Sequence, residues 1–180
     1  MPETLNFVAY SPADNDQLIA WLTSDTWQYH GYANPTPEFI RQNIDQGVYS
    51  NDSTRTIWVM RDEDRVGLLR LDDLGEVPSI DIRIRSAYRG QSIGEATLRW
   101  LAEELFTTLP EIRRIEGITR QDNTAMRRLF RKCGFVKEAH YRQGWIAAIG
   151  SDVYYDGILY GLLRQDWQTG TTTPVNWHDE

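Results

Sequence analysis

The segment Tyr88-Arg89-Gly90-Gln91-Ser92-Ile93-Gly94 stands between residues 79–85, which read as a strand, and an amphipathic helical pattern running to about residue 106. A strand that enters such a turn and continues into a helix leaves several backbone N–H groups unpaired and pointing the same way, because the first helical turn has no acceptors of its own. With the positive end of the helix dipole behind them, these groups suit a phosphate or pyrophosphate. The same unit of strand, helix and following strand needs a crossover, and so imposes one parallel step on the sheet.

The rest of the chain supplies that sheet. Residues 5–10 alternate as a first strand, and 14–23 carry Leu18, Ile19 and Leu22 at helical spacing with acidic residues in the first turn. After the aromatic loop 27–32, Thr36-Pro37-Glu38 opens a second helix as an N-cap followed by proline, with Phe39, Ile40 and Ile44 on its apolar face. Residues 56–61, 66–71 and 79–85 read as three strands separated by Asp62-Glu63-Asp64 and by the turn 75–78, close enough for antiparallel neighbours. Beyond Pro110 come a strand over 114–119 and a helix from about Asn123 whose buried stripe is Ala125, Met126, Leu129, Phe130 and Cys133 and which Gly134 ends. Two closing strands, 136–141 and 153–163, are joined by a glycine-containing connection that holds Trp145.

The predicted order is βααβββαβαββ, an α+β class with a mixed, mostly antiparallel sheet of about seven strands flanked by four helices. At 180 residues the chain is long enough for one core and short for two. One domain is expected over residues 1–168, followed by a polar tail over 169–180, disordered or loosely docked. Acidic residues outnumber basic ones, 26 to 19, a net charge of -7 that argues against nucleic acid and anionic membrane as partners and mildly favours cationic ones. The single cysteine, Cys133, excludes an intramolecular disulfide and is expected to pack rather than react. No apolar run of membrane-spanning length or secretory leader is read in the chain, and the cytoplasm is the expected location.

With the turn placed between the fourth strand and the third helix, this order resembles the GNAT superfamily of acyl-coenzyme A N-acyltransferases over about residues 5–167. Residues 88–94 look like the family's cofactor turn, written as Arg or Gln, two residues, Gly, one residue, then Gly or Ala. Asn123, followed by Leu129, Gly134 and Phe135, is similar to the family's second motif, an asparagine opening a helix that ends in Gly-Phe. The closing run Tyr154-Tyr155-Asp156-Gly157-Ile158-Leu159-Tyr160, with Trp167 after it, resembles the branch that acetylates ribosomal-protein N-termini. The likeness implies acetyl-coenzyme A as co-substrate, no metal, and direct transfer of acetyl to a primary amine in a ternary complex. The acceptor is either a protein N-terminus or a small amine such as a polyamine or aminoglycoside, which the acidic balance favours. Two competing readings are a binding module that kept the coenzyme site and lost catalysis, and a domain unrelated to coenzyme A.

The resemblance also implies a site. Arg89, Gly90, Gln91, Ser92, Ile93, Gly94 and Glu95 form the pyrophosphate cradle, with Ile82 and Ile84 of the preceding strand beside them. Ser92 occupies the place of the family's first glycine, where its side chain either crowds the cofactor or adds a hydroxyl contact. Asn123 holds the pantetheine arm, caps its helix, or does both. Arg128 and Arg131, with Arg127 and Lys132, either meet the adenine-ribose phosphates or form a solvated face.

On the acceptor side, Trp27, Tyr29 and Tyr32 either shape the pocket or pack their loop onto the sheet. The amine must lose a proton, and no covalent enzyme intermediate is needed when the substrates lie side by side, so Cys133 is not required as a nucleophile. Many family members place a tyrosine acid where Phe130 stands, and the ribosomal branch often has serine where Met126 stands, so both routes to assisting the thiolate are missing. Along 79–85, Ile80, Ile82 and Ile84 share one face, and Asp81, Arg83 and Arg85 the other. Asp81 is read as a base, an amine-orienting group or a structural ion pair, with nearby arginines lowering its pKa, and Arg83 as part of the acceptor groove. His30 is the alternative base. Tyr155 and Asp156 enter through the resemblance, and Tyr141 is a candidate acid. A homodimer, if formed, would pair through the strand-rich C-terminal segment.

Overall fold

Alternation along the central strands decides which layer each side chain joins. The computed structural model describes residues 4–148 and 150–177. In β2 (Arg55–Arg61), β3 (Asp64–Asp72) and β4 (Ser79–Ile84), Ile57, Leu69, Leu71 and Ile80 face one side and Trp58 and Leu68 the other. The first set packs under α3 (Ile93–Thr108), with Leu98, Leu101 and Leu105 almost fully buried. The second packs against α1 (Asn15–Thr23) and α2 (Pro37–Asp45) through Leu18, Leu22 and Ile40. Two apolar layers on opposite faces make the strands nearly continuous hydrophobic runs, as expected of a sheet covered on both sides.

Adding β1 (Leu5–Ala9), β5 (Arg114–Arg120), β6 (Val136–Ile146) and β7 (Tyr154–Leu163) gives a seven-stranded sheet in the order β1-β2-β3-β4-β5-β7-β6. All neighbours are antiparallel except β4 and β5, which are parallel and share the single register pair Ser79↔Glu116. Helix α4 (Thr124–Lys132) follows β5 and buries Phe130 against Phe135 and Tyr160. The predicted class, order and mostly antiparallel sheet are those observed.

Two local features depart from the sequence reading. A fifth helix, α5 (Arg164–Thr169), follows β7, and Arg164 donates to the carbonyls of Phe106, Leu109 and Ile112, closing the C-terminal end of α3. Strand β6 runs on through Trp145, which the sequence placed in a connection. Between the pairs Tyr141↔Gly157 and Trp145↔Tyr155, four steps on β6 face two on β7; Asp156 accepts the displaced Gln143 N–H at 2.8 Å, so the ladder resumes beyond the bulge. In the tail, Thr173 donates its N–H and hydroxyl to the buried carboxylate of Asp166, at 2.9 and 2.7 Å. Residues 178–180 of the expected tail, and 1–3 and 149 of the expected domain, lie outside the described residues. Among the described residues no helix is long and apolar enough to cross a membrane.

Candidate active site

Past Ser79↔Glu116, β4 and β5 no longer pair, and the sheet opens where the two strands separate. Two cavities adjoin this gap, of about 580 and 390 Å³. Both are lined by Tyr29, His30, Ile82, Arg83, Asn123 and Met126, so the two meet at those side chains. Such a cleft at strand ends, walled by helices and loops, is where ligands commonly sit in α/β architectures.

The larger cavity is bounded by Arg89, Gly90, Ser92, Ile93, Gly94 and Glu95, with Ile84, Arg128 and Lys132 also in its wall. The first turn of α3 opens here, so its free N–H groups and dipole end face the space. Gly90 has φ +76 and Ser92 φ 60, both in the left-handed region. That conformation explains why a glycine suits position 92, and Ser92 accepts it at the end of an exposed turn. Gly94 serves a different purpose: a Cβ there would meet Leu129 Cδ2 at 3.0 Å, so its absence lets α3 and α4 approach. Glu95, which would oppose an anion, is held by Lys132 at 2.5 Å and by Arg99 at 3.1 Å; the Lys132 hydrogen bond, more than Arg99, lowers its pKa. Free amides, a helix terminus and basic side chains on α4 form a donor set that fits a pyrophosphate.

Not every residue of the expected cradle contributes its side chain. Arg89 donates to the carbonyls of Ile84 and Thr26, and Gln91 bonds Arg61 and the Ala87 carbonyl, so both brace the turn. Gln91 and Arg131 are not among the residues lining the cavity. Asn123 caps α4 by accepting from Met126 N–H at 3.2 Å, and its amide donates to Thr119 at 3.1 Å. It lines both cavities from that fixed position.

The smaller cavity holds a charged cluster on the α1/α2 face of the sheet. Asp81 Oδ1 receives His30 Nε2 at 3.1 Å and Arg83 Nε at 3.4 Å; its Oδ2 receives Arg83 Nη2 at 3.2 Å and faces Arg70 Nη2 at 3.8 Å. Burial pushes the Asp81 carboxyl up, but Arg83, His30 and Arg70 together outweigh it and hold it well below the usual carboxylate range. A carboxylate so held is a poor proton acceptor, which turns its sequence-based role from base toward holder of His30. The bond at Nε2 leaves the His30 Nδ1 atom, enclosed and without a partner among the described residues, as the remaining acceptor of the ring.

Of the aromatic loop, Tyr29 and Tyr32 line the smaller cavity, whereas Trp27 is buried in the wall of the larger one, stacked on Trp21. The structure does not bring Tyr141, Tyr155 or Asp156 to either cavity. Tyr141 is exposed on β6, Tyr155 lies 3.9 Å under the Arg120 guanidinium, and Asp156 is bound to His140 and the β6 bulge. Sequence reasoning missed Tyr49, Asn43, Arg70 and Trp145, all in the wall of the smaller cavity. Arg70 had a readable signal, since it alternates with Leu69 and Leu71 and falls opposite Asp81 in register. Cys133 is half-buried, and burial pushes its thiol up.

A family model for the acetyltransferase (GNAT) domain matches residues 4–136. The chain belongs to this family of acetyl-coenzyme A-dependent acetyltransferases. Its fold is similar to that of a spermidine N-acetyltransferase from Vibrio cholerae solved with CoA and spermine, at 16% identity, 91% of this chain and 98% of that one, with a TM-score of 0.75. It is also similar to a GNAT-family acetyltransferase from Streptococcus pneumoniae, at 20% identity over 89% of this chain and 99% of that one, with a TM-score of 0.70. No curated protein sequence matches the chain.

Proposed function

We propose that this chain moves acetyl from acetyl-coenzyme A to a small primary amine by direct attack within a ternary complex. The observation that carries the reading is the junction of the two cavities at Tyr29, His30, Ile82, Arg83, Asn123 and Met126. Reactants held one in each space meet there without a covalent enzyme intermediate, and alignment alone is worth a large part of such a barrier. The similarity of the closing run to the ribosomal branch points to a protein N-terminus; the acceptor-side volume of about 390 Å³ favours a small molecule.

The coenzyme, when bound, supplies an acetyl group already activated as a thioester. Amides of the first turn of α3, with Arg128 and Lys132, would hold its phosphates, and Asn123 and the unpaired edge of β4 at Ile82 and Ile84 would guide its arm toward the junction. His30 takes the amine's proton. Asp81 fixes the ring through Nε2, which leaves Nδ1 as the accepting atom. Phe130 and Met126 offer the thiolate no proton, so rate depends on alignment and on proton removal.

Coenzyme A release from acetyl-coenzyme A, measured across a panel of primary amines, tests the reading. Turnover with at least one amine is expected; binding of coenzyme A with no turnover on any of them would overturn it.

A further inference from the structure

We infer that the acceptor carries a single amine on a flat, largely apolar body, an arylalkylamine in chemical class, and that polyamines are poor acceptors. This inference rests on the acetyl-transfer reading above. It comes from the charge inventory and shape of the acceptor-side cavity.

Two carboxylates and two guanidiniums stand in that wall, Asp72 and Asp81 against Arg70 and Arg83. Both oxygens of Asp81 are taken by His30, Arg83 and Arg70. Asp72 accepts from Arg70 at 3.0 Å and from the Thr54 hydroxyl at 3.1 Å. The cavity thus offers no uncompensated negative charge to an ammonium. A polyamine reacts through one nitrogen and must place its remaining ammonium groups somewhere; buried without a counter-ion, each loses its hydration with nothing in return. The chain's net charge of -7 does not change this, because charge outside the cavity is screened by solvent.

The remaining wall is mostly ring and hydrocarbon. Tyr32 and Phe39 pack at 3.9 Å between centroids on one side, Tyr49 is buried with its phenol kept neutral by burial, and the β6 bulge precedes Trp145 at the opposite sheet edge. Flat faces set around about 390 Å³ match a body of one or two rings on a short amine-bearing chain.

The test measures coenzyme A release at saturating acetyl-coenzyme A with phenethylamine, tryptamine, spermidine and an alanine-initiated hexapeptide, alongside calorimetry of coenzyme A and of each amine into the coenzyme-loaded protein. Expected are binding and turnover of the aryl amines with kcat/KM about a hundredfold above spermidine and the peptide. Spermidine or the peptide performing as well as the aryl amines would overturn the inference and leave acetyl transfer standing. Coenzyme A binding without turnover of any amine would remove the acetyl-transfer reading, and this one with it. Arg70→Leu and Arg70→Gln release Asp72, and KM for spermidine should fall about tenfold in whichever variant keeps the native thermal transition. An unchanged KM in a folded variant would refute charge compensation as the cause. If neither variant folds, the amine panel on the unaltered protein decides alone.

Discussion

His30 Nε2 and Asp81 Oδ1 lie 3.1 Å apart, joining the loop before α2 to the middle of β4 across 51 residues of chain. The bond aligns the imidazole with a carboxylate that Arg83, His30 and Arg70 hold well below the usual carboxylate range despite its burial. If His30 removes the amine's proton, His30→Gln should lower kcat by about 10²–10⁴-fold, the usual contribution of a positioned base. Coenzyme A affinity by calorimetry should stay within about twofold, since the glutamine leaves the turn before α3 untouched. An unchanged kcat would remove His30 from the chemistry.

Acid stability should carry the signature of Asp81. Its folded carboxyl lies below the unfolded value of about 3.9, so the unfolded chain binds this proton more tightly. The corresponding stabilisation is complete above that value and is lost as pH falls through the lower, folded one. The thermal midpoint should therefore drop steeply below about pH 4. Asp81→Asn should lower the midpoint at neutral pH, leaving Arg70 and Arg83 without their shared counter-ion, and should flatten the acid limb. Asp122 and Asp25 keep part of the slope in the variant, as both are also depressed, Asp122 chiefly by Arg120 and Asp25 by hydrogen bonds that outweigh its burial. Parallel pH profiles for the two proteins would contradict this assignment.

Ser92→Gly should stabilise the chain. A non-glycine residue at φ 60 costs roughly 1–2 kcal/mol, of which the greater freedom of glycine in the unfolded state takes back about 0.5–1 kcal/mol. A net gain of about 0.5–1 kcal/mol in denaturant unfolding follows. Ser92→Val should instead lose about 1–2 kcal/mol, because a β-branched side chain resists the left-handed region. Equal stability of all three would mean that the turn relaxes away from this backbone.

The faces of β4 are legible in its alternation because side chains repeat every two residues, and the turn before α3 is legible because a strand-to-helix junction needs small residues at fixed places. What joins them is not. Asp81 reads as flanked by Arg83 and Arg85, yet Arg85 sits beyond the strand and bonds Ser24, while the second cation is Arg70, brought in by β3–β4 register. Trp145 illustrates the same limit, since Gly144 suggests a turn and only pairing with Tyr155, beyond a bulge held by Asp156, keeps the segment in the sheet. Such long-range pairing leaves little trace in local sequence.

Arg164 replaces a conventional helix cap by reaching three carbonyls at the end of α3 and the segment after it. Arg164→Lys keeps the charge and loses the fork, so it should destabilise by about 1–2 kcal/mol, and Arg164→Met by about 3 kcal/mol, measured by denaturant unfolding. Equal losses for both would show that the charge contributes nothing and the fork alone holds the end of the helix; no loss with lysine would show the reverse.

Phe130 and Gly117 fit each other closely enough to bear on catalysis. A Cβ on Gly117 would lie 2.5 Å from Phe130 Cζ, so the tip of this almost fully buried ring rests against β5. Adding a hydroxyl at that tip directs it into the strand, not toward the cavity junction. Phe130→Tyr, which restores the side chain that many relatives use as an acid, should therefore destabilise by about 1–3 kcal/mol and leave kcat without a new acidic group in its pH profile. Gly117→Ala should destabilise by a similar amount, because it closes the same contact from the opposite side. A Phe130→Tyr variant of unchanged stability and higher kcat would mean that the ring can turn toward the junction, and that alignment and proton removal alone do not account for the rate.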